Sequence, residues 1–180
     1  MRGDQPTIGA GALAVAVPLA VAGVAYGLWF LSDRLLYIGP LDRATFGWLV
    51  VVPVWAAAPA AAGLVWPRLS SAAQWIVAAM CGLVVGAAVT VLLWLDVTAP
   101  DCQFGPVRGP VDWSVPAIAV GLLIGGGFAI AGVVATRLVA AGRPWLALFG
   151  GATIQLGAAA LAILSFWSQM ISGVCQRPPA

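Results

Sequence analysis

Cys102 and Cys175 are the residues whose type and spacing come nearest to a reactive pair. Each stands eight positions after a tryptophan that closes an apolar run, Trp94 and Trp167. Two thiols on one oxidising face of a membrane form a bond that persists. Their expected role is therefore a structural disulfide that ties the loop from Asp96 to Ser114 to the carboxyl-terminal tail. A thiol-redox role, serving a quinone-linked oxidase, would call for a second, closely spaced pair such as Cys-x-x-Cys, and the chain holds no such motif. Cys81, beside Gly82 inside an apolar run, reads as a small buried apolar residue.

A second constellation points to binding. Pro53 and Pro59 lie six positions apart with Trp55 between them. Each proline removes a backbone hydrogen bond and invites a kink, and a bent helix can line a pocket. Gln155 is the only strongly polar side chain near the middle of any apolar run, so Pro53, Trp55, Pro59 and Gln155 form the candidate pocket. The plainer reading of each is structural. Prolines are tolerated in membrane helices without function, and Gln155 is satisfied by an interhelical contact worth about 0.6 to 2 kcal/mol.

Carboxylates occur at Asp33, Asp42, Asp96, Asp101 and Asp112, mostly beside an arginine: Asp33-Arg34, Asp42-Arg43, and Arg108 between Asp101 and Asp112. Paired carboxylates can do acid and base chemistry. With arginines so close, these read as loop-ordering ion pairs of small individual worth, or as a docking surface for the extramembrane part of a partner. Histidine, glutamate and lysine are absent altogether. That excludes histidine-ligated haem or copper, a histidine acid or base, and a lysine Schiff base. No metal, cofactor, catalytic residue or nucleic-acid contact is expected, and the protein is read as not an enzyme.

The elements that must carry these residues are five runs without one charged side chain: Ile8 to Leu31, Phe46 to Trp66, Ala72 to Leu95, Val115 to Thr136 and Trp145 to Trp167. Roughly 20 apolar residues suffice to cross hydrocarbon. The 180 residues are 62% hydrophobic and 8% charged, against about 25% charged in a soluble domain. The expected fold is an all-α integral membrane protein, a single membrane domain over 1–180 built as a bundle of five transmembrane helices. The first run, 24 residues long, exceeds the roughly 7 to 15 of a signal-peptide core and is expected to be a retained helix.

Four arginines fall on each side of such a bundle, so the positive-inside rule alone does not orient it. Arg68, Arg137 and Arg143 sit in very short turns hard against the spans, where they act most strongly. This favours a cytoplasmic amino terminus and an outward carboxyl terminus, in the inner membrane of a bacterium whose all-arginine, alanine-rich usage suggests a high-GC genome.

The sequence also suggests two and a half helical-hairpin repeats. Trp29, Asp33, Gly39-Pro40, Arg43 and Trp48 are echoed by Trp94, Asp96, Gly105-Pro106, Arg108 and Trp113, at an offset of about 65. Leu83 to Ala88 resembles Ile154 to Ala159 in the same way. Gly82 and Gly86, and Gly121 and Gly125, have the four-residue spacing that lets helix backbones approach closely, which marks helix-packing faces. Eight of the nine tryptophans, Trp66, Trp75 and Trp145 among them, fall at span ends and read as interfacial belts. Length, five spans and tryptophan richness superficially resemble the tryptophan-rich sensory proteins. The tryptophan-proline loop signature of that family is missing where this chain reads Ile38-Gly39-Pro40-Leu41, and no family is assigned.

Absent intramembrane charge, small-residue faces and charged outward loops together lead to a non-catalytic accessory or structural subunit of a larger membrane complex. Its expected partners are the lipid bilayer and other membrane protein subunits. The alternative is a small-molecule or lipid-binding transporter component that uses the candidate pocket.

Overall fold

The computed structural model describes residues 8–35, 47–98 and 114–173. Cys102 and Cys175, the ion pairs beyond residue 35 and most of the repeated loop motif lie outside these residues. Every element among the described residues is helical, and five helical stretches are long and apolar enough to cross a membrane. In order they are α1 (Ile8–Leu35), a composite second span, α4 (Ser71–Thr98), α5 (Ser114–Ala140) and α6 (Pro144–Gly173). The second span runs as a π-turn (Gly47–Val51), α2 (Val52–Ala57), a 3₁₀ turn (Ala58–Ala61), α3 (Ala62–Val65) and a closing 3₁₀ turn (Trp66–Arg68).

That fragmentation follows from the prolines. Pro53, Pro59 and Pro67 each fall within the first two positions of a new piece. Lacking an N–H, proline cannot donate to the carbonyl four residues back, so the ladder widens before Pro53 and tightens at Pro59. Trp55, which Pro59 would leave without a donor, takes the N–H of Ala58 instead. The two prolines thus change the helix type and leave the span continuous.

Two short turns join neighbouring helices. Gln74 Nε2 donates to the carbonyls of Trp66 and Leu69, each at 3.1 Å, and so caps the carboxyl end of the second span from the first turn of α4. Between α5 and α6, Gly142 has φ +73°. It sits at the left-handed position where the Arg143 N–H reaches the Leu138 carbonyl and its own N–H reaches that of Val139, both at 2.9 Å, before Pro144 opens the next helix. This is the Schellman ending that glycine permits.

α5 is the axis of the bundle, in contact with α4, α6 and the second span. Of its apolar window 56% is buried, against 17% for α1. α5 and α4 cross antiparallel on their glycines. A Cβ placed on Gly82 would lie 2.5 Å from the Gly125 carbonyl oxygen, and one on Gly86 2.6 Å from that of Gly121. No side chain fits between the two backbones. Beside the crossing, the Thr90 hydroxyl shares its hydrogen between the Gly86 carbonyl of its own helix at 2.9 Å and the Ala117 carbonyl of α5 at 3.2 Å.

α1 is held differently. Pro18 deprives the Ala14 carbonyl of its helical donor, and the Trp66 indole Nε1–H fills the vacancy from 52 residues away at 2.8 Å. Trp66 and Pro18 are fully buried. The indole lies where Gly132 of α5 has no side chain, 2.8 Å from where a Cβ would stand. Cys81 on α4 approaches the next carbonyl, that of Val15, at 4.0 Å. Trp66 is therefore a core residue and no member of an interfacial belt, whereas Trp75 and Trp145 are exposed.

Candidate ligand groove

Beyond Pro18 the packing of α1 opens. A groove of about 700 Å³ runs between α1, the second span and α4, walled by Leu19 and Tyr26, Val51 and Trp55, and Val85 and Leu92. Its volume falls within the roughly 300 to 1,000 Å³ of small-molecule sites. The inner end lies one residue past Pro18, where Trp66 and Cys81 hold Ala14 and Val15. The walls are otherwise aliphatic. Tyr26 and Trp55 are the only lining residues whose side chains carry a polar atom, and neither group has a hydrogen-bond partner among the described residues.

Of the four residues singled out for a pocket, Trp55 alone lines this groove. Pro53 is exposed and Pro59 is fully buried. Pro53 precedes Trp55 by two residues, which turns it about 200° away around a helix. The 3₁₀ turn that begins at Ala58 adds rotation and takes Pro59 off the groove face. Gln155 belongs to α6, which packs on α5 and the second span, away from the α1 side. It is fully buried, and neither its Oε1 nor its Nε2 finds a hydrogen-bond partner among the described residues. Among the described residues the interhelical hydrogen bond expected of it is not found. Gly127 of α5 faces it, and a Cβ there would collide with the Cβ of Ala158 on α6 while meeting Oε1 only at an ordinary contact distance of 3.5 Å. Each buried unpaired polar group costs about 1 to 3 kcal/mol.

The glycine faces are spent within the chain. Gly82, Gly86, Gly121 and Gly125 all meet backbone of the opposing helix. On the outer side of that crossing they leave a second, smaller groove of about 580 Å³, flanked by Leu83, Ile118 and Leu122.

Sequence reasoning missed the joint of Pro18, Ala14 and Trp66. A signal existed: a proline strips the donor from the carbonyl four positions back, and tryptophan carries a donor that seeks a partner when buried. Which tryptophan answers is a tertiary fact.

Among the described residues no group of three or more histidine, cysteine or acidic side chains comes together to hold a metal ion. Comparison with known protein families, with curated proteins and with solved structures finds no match. Fold and groove together define a class: an all-helical bundle of five potential membrane spans with an apolar groove along its least buried helix.

Proposed function

We propose that the chain is an integral membrane protein that acts by binding, not by catalysis, and that its ligand is an apolar small molecule or lipid held in the groove between α1, the second span and α4. The groove is the observation that carries this reading. Membrane insertion is supported by the outer faces, where Leu64, Leu83, Leu122 and Leu164 are 63 to 72% exposed. So much apolar surface is unfavourable in water and suited to hydrocarbon. The arginines of the short turns, Arg68, Arg137 and Arg143, support a cytoplasmic amino terminus and an outward carboxyl terminus in a bacterial inner membrane. α1 and α4 lie side by side, each followed by an antiparallel partner, an arrangement compatible with a repeated hairpin.

The accessory-subunit reading draws on a different feature. The glycine faces of α4 and α5 are occupied, but a Cβ on Gly23 or Gly27, four residues apart on α1, would meet nothing within 4 Å. This is a small-residue spacing without an internal partner, suited to a helix from another chain.

Native mass spectrometry of the protein, extracted in mild detergent at native expression level, separates the two readings. A lone species carrying a bound apolar molecule supports the groove. A reproducible set of larger co-purifying subunits, with no small adduct, replaces the first reading with the second.

A further inference from the structure

We infer that the groove takes an acyl chain of a phospholipid from the leaflet at the carboxyl-terminal end of α1, with the chain terminus at the level of Pro18. This rests on the binding reading above and names the ligand class for the same site.

The first reason is depth. The groove begins near the middle of α1 and of α4 and extends from Leu19 to Tyr26 on one and from Val84 to Leu92 on the other. At about 1.5 Å per residue it is roughly 10 to 12 Å long, shorter than the about 15 Å of one leaflet in a hydrocarbon core roughly 30 Å thick. A slot that stops at mid-depth and runs parallel to the helices fits a chain that enters from one leaflet only.

Polarity is the second reason. Counting back from the antiparallel contact of Trp66 with Ala14, Trp55 comes roughly level with Ala25 and Tyr26. The two polar groups of the lining therefore share its outer end. The inner end, at Leu19 and Val85, offers only carbon. A ligand with a polar group deep in the slot would bury it unpaired, which is unfavourable. One with a saturated tail and an ester or headgroup near the interface meets a matching gradient.

The third reason is closure. The inner end is shut by the contacts that Pro18 calls up, Trp66 on Ala14 and Cys81 near Val15, so the chain cannot run through to the other leaflet.

The test is photolabelling of the intact chain in nanodiscs of phosphatidylethanolamine and phosphatidylglycerol. They are doped with phosphatidylcholine carrying a diazirine either at the chain end or near the ester. Chain-end label is expected on Leu19 and Val85 and ester-proximal label on Tyr26 and Leu92, severalfold above Leu161 and Leu164, which are exposed and line neither groove. Label spread evenly over all outer faces, or without depth order, overturns the inference. Gly23→Leu fills the groove from a position where a Cβ meets nothing within 4 Å and should abolish the groove label while unfolding as the parent does. A bound molecule that native mass spectrometry finds and Gly23→Leu displaces, together with uniform lipid labelling, keeps the binding reading and refutes the acyl chain. Absence of any bound molecule refutes both.

Discussion

The two interfaces that α4 makes are opposites. Toward α5 it presents Gly82 and Gly86 to Gly125 and Gly121, and the backbones touch. Toward α1 it presents Val84, Val85 and Leu92 across a groove of about 700 Å³. Both faces are equally apolar, so hydrophobicity does not decide which one closes. Closure follows where Cβ atoms are missing in register on both helices, because without a hydrophobic drive between helices in lipid only close packing and hydrogen bonds bring them together. On the α1 side no glycine of α4 lines the gap, and α1 is fastened by the proline-made joint near Ala14 together with its packing along the second span.

The joint should give the largest effect when broken. Trp66→Ala removes a fully buried indole and the donor to Ala14. A loss of about 3 to 5 kcal/mol is expected in denaturant unfolding of the detergent-solubilised protein. A cost below 1 kcal/mol would mean that α1 is held elsewhere.

On the closed side, Gly125→Ala drives a methyl into the Gly82 carbonyl and should cost about 1 to 3 kcal/mol by overpacking. Gly126→Ala, one residue on, meets nothing within 4 Å and should be neutral or slightly stabilising. Equal effects for the neighbours would dissolve the contrast between the two interfaces. Gln155→Leu, at the third interface, removes two orphaned amide atoms and is expected to raise stability by about 1 to 3 kcal/mol. A clear destabilisation would reveal a polar partner for that amide.

Two smaller effects sharpen the picture. In a double-mutant cycle, Pro18→Ala restores a backbone donor to the Ala14 carbonyl, so Trp66→Phe should then cost about 0.5 to 1.5 kcal/mol less than in the parent chain. Additive losses would show that the indole hydrogen bond does not answer the proline. Thr90→Val loses the shared contact to Gly86 and Ala117 and should cost about 0.6 kcal/mol, the average for a hydrogen bond between membrane helices.

How far the fold was legible follows from the same contrast. The five apolar runs translate directly into helices because a run without charge is a local property. The described helices extend the predicted limits by a few residues at most ends, to Leu35, Arg68, Thr98, Ala140 and Gly173. The glycine packing faces could be marked as well, since four-residue spacing on each helix belongs to that helix alone, but which helix each face meets could not. What stayed hidden depends on rotation and on distance along the chain. Trp55 was found for the groove, but Pro53 leaves it by ordinary helical rotation over two residues, and Pro59 lies beyond the change of helix type that begins at Ala58. Gln155 could not be assigned to a helix pair without knowing that α6 lies away from α1. Trp66, placed at a span end by sequence, is buried because its partner carbonyl is created by a proline 48 positions earlier.

The most direct measurement compares the thermal stability of delipidated wild-type protein and Gly23→Leu, each with and without added phosphatidylglycerol. Binding to the folded state raises apparent stability by mass action. The expected result is an increase in Tm on lipid addition for the wild type that is absent in the groove-filled variant. An equal increase in both would place the lipid on the general outer surface and contradict a binding groove beside α1.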